Sequence, residues 1–491
     1  MSSSTPDSDA DSETVADEGG PSGARARLMR SAPVLTGITA LVCVLGWLQK
    51  QPCASVNFDF VKTTTRGCYT DIYPLYYVRG LNDGKVPYFD SFSGDTIHYV
   101  EYPVLSGYFM QIVNWIVKPF GIETRGMAFY NVTALLLALL AIGMVLATAY
   151  AAGRKSLKAG LMVGLSPALL LTAYINWDLL AVGLSAIALA FWASRRPAWA
   201  GVFIGLAIAA KFYPLLLLWP FVLLCVRAGE WRAIVRLLAG TVGAWLAVNV
   251  PVMLFAWNGW LEFYKFNRTR GIDWGSIFFY FRGHGLESMN DTDRLNMVGT
   301  GTFIVLALAI GVLALAAPRR PRLSQLMFLV LVAFMLPNKV WSPQYVLWLL
   351  PLAVLARPRL PAFIVWQVGE ILYFFGIWWY LLAVSNGKPG ADLSTTLSSL
   401  AHFDVPPGGI SDNVYYIALF ARFLTVFLLA VLVVIDILRP SGDVVRQDGL
   451  QDDPAGGLLD QAPDVFRLAP GWGRRRAGTP AGAADAAGMA V

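Results

Sequence analysis

One event recurs through most of this sequence: an apolar run, a short polar connection, then another apolar run. Runs of about 20 residues suit a single helical crossing of a hydrocarbon core roughly 30 Å thick. A spanning β-barrel would instead show alternating segments of about ten residues. Composition agrees, since 56% of the 491 residues are hydrophobic and 14% are charged, against roughly 25% charged in soluble domains. The first run, 33–48, closes on LGWLQK, which offers no small-residue cleavage site, so it reads as a span and not as a signal peptide. The expected fold is therefore all-α and multi-pass, with about 12 transmembrane helices. They fall near 33–48, 127–151, 159–174, 178–194, 198–210, 213–227, 233–256, 299–317, 323–337, 343–356, 360–384 and 414–438.

Lysine and arginine set the orientation, because basic residues in short loops stay on the cytoplasmic side. ARARLMR precedes the first span, and GRKSLK, SRRP, VRAGEWR, PRRPR, ARPR and ILRP follow alternate spans. These connections and both termini are assigned to the cytoplasm of a cell-membrane protein. A further span at 102–121 would upset that alternation, so this run reads as an interfacial or re-entrant helix. The stretch 1–23 is acidic, Ser-rich and empty of large apolar residues to offset the entropy of ordering, and 439–491 is Gly, Ala, Pro and Asp with a GWGRRR patch, so 1–30 and 439–491 are expected to be disordered tails. Between them, 31–438 is one membrane domain with external loops 49–125, 257–298 and 385–413. The net charge of +6 is accounted for by cytoplasmic loops facing anionic lipid, and implies no nucleic acid.

The external connections carry the acids, the aromatics and the isolated cations. They include CYTDIYPLYYVRGLNDGKVPYFD and HYVEYPVL in the first loop, YINWD at 174–178, the AKFYP corner at Lys211, the loop 257–298 and the corner NKVWSPQY at 338–345. All face one compartment, so one outer-face site can use them together. The three histidines, His98, His284 and His402, have no ligand at metal-binding spacing, so no metal is expected. GxGxxG, GxxxxGK[ST] and GxSxG are absent, which removes nucleotide-cofactor and serine-hydrolase chemistry. A carboxylate can take a proton from an attacking hydroxyl, cations hold phosphate, and aromatic faces stack on sugars. That set fits transfer of a sugar from a lipid phosphate, with no further cofactor.

TDIYPLYYVRGLNDGKVPYFD followed by EYPVL, AKFYPLLLLWP and NKVWSPQYVLWLLPL together resemble glycosyltransferase family 87, over about 33–438. The resemblance implies a GT-C membrane fold and a polyprenyl-phosphate-sugar donor of the mannose or arabinose class. It also implies a glycolipid or glycan acceptor in the envelope, and Asp71 as the inverting general base. Lys211, Lys339, Arg268, Arg270 and His284 are the candidates for the donor phosphate. Tyr69, Tyr73, Tyr76, Glu101, Tyr102, Asn176, Asp178, Tyr213, Trp341, Gln344 and Tyr345 are the candidates for substrate contact.

Each of these residues also has a plainer reading. Asp71 suits an interfacial anchor, Asp178 suits a helix N-terminus better than a substrate, and Lys211 and Lys339 suit snorkelling to headgroups. Arg268 and Arg270 fit solvated loop charges, Glu101 a loop hydrogen bond, and His284 an open surface. Cys53 and Cys68, fifteen residues apart in the first loop, are either bonded or free. Glu370, near the centre of a span, must face the bundle interior and be neutral or paired. Its near isolation among the spans argues against a transporter or lipid-linked sugar flippase. A glycan ligase or polymerase, which relies on large external loops after the middle spans, is the third reading.

Overall fold

The computed structural model describes residues 21–94, 96–447, 449 and 451–468. Among them there is no strand, only an isolated bridge between Ala391 and Ile410. Six helices are long and apolar enough to cross a membrane: Pro21–Ala54, Ile122–Ala151, Trp231–Phe255, Thr292–Ala316, Leu360–Ser385 and Asp412–Leu438. Shorter apolar helices, Asp178–Ala193, Pro197–Ala210, Leu323–Met335 and the stretches 213–228 and 343–356, pack between them. Every expected run is helical, but 159–174 is split into Ser156–Gly164 and Pro167–Thr172. Ser166 causes the break: its hydroxyl accepts from the Leu169 amide and Pro167 opens the new helix, a strong start signal. The run 102–121 forms the 14-residue helix Val104–Val117.

Close approach of backbones sets the packing where small residues line a helix face. Gly201 and Gly205 lie against the Trp231–Phe255 helix so tightly that a Cβ would sit 2.0 Å from Leu237 O and 2.3 Å from Thr241 O. Small residues at such crossings are the usual means of helix association in lipid. The Thr292–Ala316 helix is the opposite case: 11% of its apolar window is buried, against 50% for Ile122–Ala151. It lies at the perimeter.

Two expectations about the ends are corrected. Residues 1–20 of the expected N-terminal tail lie outside the described residues, whereas 21–30 are helical, since ARARLMR is built of good helix formers. Of the segment 439–491, also expected to be disordered, residues 469–491 lie outside the described residues, whereas the described part up to 468 packs against the bundle end that carries the basic connections. Arg322 binds Asp443 through Nε at 2.7 Å and also donates to Leu355 O and Ala356 O. Arg227 and Arg320 both pair with Asp464, and the Leu323 amide donates to Asp453. Gly457, at φ +61°, lies where a Cβ would come within 2.0 Å of Trp192 O, and the Trp192 indole donates to Gly456 O at 2.7 Å. Composition missed this order because it is fixed by contacts with residues distant in sequence, charge pairs among them.

Candidate active site

Asp71 occupies the N-cap of the short helix Ile72–Val78, yet its carboxylate makes no capping hydrogen bond. Instead it accepts from the Tyr69 hydroxyl at 2.6 Å, while its own amide donates to Ile175 O at 2.7 Å. Those two contacts fix the acid to the 174–178 turn. Burial pushes Asp71 up to about 6; the Tyr69 hydrogen bond and the Lys211 charge pull it down, and Asp178 and Glu101 push it further up. Tyr69 is raised well above its ordinary value, chiefly by the Asp71 charge and then by burial.

Lys211 stands beside this acid. It ends the Pro197–Ala210 helix, and its Nζ lies 2.6 Å from Asp178 Oδ1 and over the rings of Tyr102, Tyr345 and Trp348 at 5.2, 5.8 and 5.9 Å. Burial alone would lower Lys211, but the charge and hydrogen bond of Asp178, with Tyr345 and Asp71, together outweigh it and hold the lysine above its usual value. Asp178 opens its helix, as expected, but makes no capping hydrogen bond: one oxygen takes Lys211 and the other takes the Trp348 indole at 3.0 Å. Asn176 shapes the turn by accepting from the Asp178 amide.

From Lys211 the site opens into a cavity of about 410 Å³. Tyr345 and Trp348 line it beside the lysine, and Tyr213, Phe303, Phe334, Asn338 and Lys339 also line it. Lys339 is buried and donates to Arg268 O at 3.1 Å. Burial first, and the Arg270 charge second, lower it to about 8. Arg268 is exposed and supplies this carbonyl, whereas Arg270 is half-buried with Phe266 under its guanidinium.

The remaining expected residues divide. Glu101 is engaged by Arg79, Nε to Oε2 at 2.7 Å, in keeping with its plainer loop reading. Tyr102 meets Trp177 edge-on beside Lys211. Tyr213 stacks on Trp348 at 4.4 Å. Tyr73 turns away from Asp71 to donate to Asn57, and Tyr76 is buried against Phe129 at 4.7 Å, so both serve packing. Trp341 is fully buried under Arg422, and Gln344 is buried in the turn Pro343–Tyr345. His284 is exposed and stacks on Tyr280, away from the Asp71 cluster. Cys53 and Cys68 are bonded, with Cα atoms 6.1 Å apart, bracing the strand of chain that leads into Tyr69.

Sequence reading passed over Trp348, Arg79, Asp273 and Lys50. Lys50 is buried and donates to Tyr69 O at 2.9 Å, holding the peptide next to the acid. The only signal for it was a lysine just inside the end of an apolar run. Trp348 lies one turn beyond Tyr345 on the same helix face and was hidden within a span.

The model of Glycosyltransferase family 87 matches residues 99–337, a stretch that contains Glu101, Asp178, Lys211 and Asp273 and begins after Asp71. Among solved structures, the apo crystal structure of the Archaeoglobus fulgidus oligosaccharyltransferase is similar at 14% identity and a TM-score of 0.36, with 82% of this chain and 50% of that chain covered. The chain thus spans about half the length of that protein, and the overlap is too loose to bear on the site. No curated protein matches the chain. With its apolar helices, the match over 99–337 supports assignment of the chain to glycosyltransferase family 87.

Proposed function

We propose that the protein transfers one sugar of the mannose or arabinose class from a polyprenyl-phosphate donor to a glycolipid or glycan acceptor at the outer face of the cell membrane. The observation that carries this reading is the layout around Lys211. Beside it stands a carboxylate that does not cap its own helix, and Lys211 itself lines, with Lys339, a cavity that Phe303 and Phe334 also wall. The perimeter helix Thr292–Ala316 forms part of the cavity wall, which gives a lipid chain a route in from the bilayer.

In this reading Asp71 takes the proton of the acceptor hydroxyl as its oxygen forms a bond to the anomeric carbon. The bond from that carbon to the phosphate oxygen breaks, the phosphate leaves with the electron pair, and the anomer inverts. A phosphate leaving group needs no proton, but its charge must be held. Lys339 is suited to this, because its ammonium is buried and bonded to a neutral carbonyl; Arg270 stands close enough to lower it. Lys211 is already paired with Asp178 and serves better to steady Asp71 than to bind phosphate. A fixed cation in a dry site stabilises developing charge more strongly than one in water.

The test supplies membranes containing the protein with polyprenyl-phosphate mannose and with polyprenyl-phosphate arabinose. Sugar transfer by the wild type and none by Asp71→Asn is the expected result. Transfer that survives Asp71→Asn would remove the acid from its role, and lipid-linked sugar flipping without transfer would favour a flippase.

A further inference from the structure

Two ionisable side chains unused by this chemistry lead to a single place. Glu370 and Arg422 lie buried on the Leu360–Ser385 and Asp412–Leu438 helices, and Arg422 Nε is 3.1 Å from Glu370 Oε2. The Trp366 indole donates to the other carboxylate oxygen at 3.1 Å. The pairing meets the expectation that Glu370 be matched inside the bundle. The rest of the guanidinium faces a backbone: Nη1 donates to Trp341 O at 2.7 Å and Nη2 to Ser342 O at 3.0 Å. It is sandwiched between the Trp341 and Tyr373 rings at 4.2 and 4.3 Å. A buried ion pair is costly to desolvate and is weak evidence for net stability. What this pair holds is the corner 338–342.

The corner in turn grips a piece of the long loop. The Asp273 amide donates to Lys339 O at 2.9 Å, the Ser276 hydroxyl to Asn338 O at 2.7 Å, and the Ser342 hydroxyl to Asp273 Oδ2 at 2.9 Å. The Tyr415 hydroxyl donates to Trp274 O at 2.7 Å. Gly275 is required here, since a Cβ would lie 2.0 Å from Trp341 O. A loop residue is thereby held as firmly as one on a helix. Asp273 is half-buried, and among the described residues its Oδ1 accepts no hydrogen bond. Its amide is bonded to Lys339, which lines the cavity together with Lys211 and Tyr345, so Asp273 adjoins the site. The Lys339 ammonium is directed to Arg268 O, so it does not occupy this carboxylate.

A fixed, part-open carboxylate is suited to a polyhydroxylated ring and unsuited to a phosphate, which it would repel. We propose that Asp273 reads a hydroxyl of the transferred sugar through its free oxygen, with the Glu370–Arg422 pair as the fixed support that aims it. This rests on the transferase reading above and assigns the sugar-recognising group of the same site.

The test measures donor dependence in membranes containing wild type, Asp273→Ala and Asp273→Asn, using polyprenyl-phosphate mannose, polyprenyl-phosphate arabinose and mono-deoxy versions of the preferred donor. A hydrogen bond to a charged group corresponds to about 10-fold to 100-fold in affinity. Asp273→Ala should raise donor KM by about that factor, Asp273→Asn by less, with kcat changed little. One deoxy donor should be handled equally by wild type and Asp273→Ala, an equality that a merely structural role would not produce. Unchanged KM in both variants of an active enzyme overturns the inference alone. So does loss of kcat at unchanged KM, which would make Asp273 part of the proton chemistry. A wild type inactive with both donors overturns the transferase reading and this inference with it.

Discussion

The two ends of the bundle handle charge in opposite ways. At the end with the basic connections, arginines are multiply bonded: Arg322 binds Asp443 and two carbonyls, and Arg320 binds Asp464 together with Leu459 O, Ala462 O and Pro463 O. At the Asp71 end, charges keep open valences beside a cavity: Asp71 accepts from one hydroxyl, Lys339 donates to one carbonyl, and Asp273 retains a free oxygen. Multiply bonded charge holds a structure together, whereas a charge with an open position and a shifted proton affinity can act on a substrate. The contrast separates the residues expected to govern stability from those expected to govern turnover.

The largest effect that can break this contrast is Asp71→Asn, which should lower kcat by about 10²–10⁴-fold or more. Thermal stability in detergent should stay near wild type, because the lost carboxylate has one hydrogen-bond donor. Arg322→Ala should do the reverse. Leaving Asp443 buried without its partner costs roughly 3–5 kcal/mol, read as a lower melting temperature, while the properly folded fraction keeps its donor KM. If Arg322→Ala alters KM and not stability, the division fails. Lys339→Met comes next, with donor KM raised by about 10-fold to 100-fold through loss of a charge-assisted contact.

The pH profile sharpens the same division. Asp71 must be a carboxylate to accept a proton, so activity should fall as pH drops below about 6, its raised value. Lys339 must be an ammonium to hold phosphate, so donor KM should rise as pH climbs through about 8, its lowered value. The smallest effect is expected from Tyr69→Phe. The Tyr69 hydrogen bond pulls Asp71 down, so removing it should move the acid limb to higher pH. An acid limb that stays in place in Tyr69→Phe would mean that another group sets it.

Much of the layout was legible from periodicity and charge. Alternating basic connections grouped Asp71, Asp178, Lys211 and Lys339 on one side, and the structure brings the first three together, with Lys211 and Lys339 lining one cavity. Identity within the cluster was less legible. Nothing local marks Asp178 as the partner of a lysine at 211, or separates Tyr69, bonded to the acid, from Tyr76, buried against Phe129. The expectation for Glu370 held because the cost of an unpaired charge in a span is a general constraint, although its partner Arg422 lies on another helix. The order of 443–468 escaped notice for a related reason: a window sees composition, and this segment is ordered by arginines far away in sequence.

That last feature bears on how the protein is made. Residues 443–464 supply the acids for Arg227, Arg320 and Arg322, and they emerge only after every helix has been synthesised. Until then Arg227, in the last turn of its helix, and Arg320 and Arg322, just before the Leu323–Met335 helix, wait without their carboxylates. A ribosome stalled before residue 443 would therefore leave that end of the bundle open, so its closure belongs to the last moments of biogenesis.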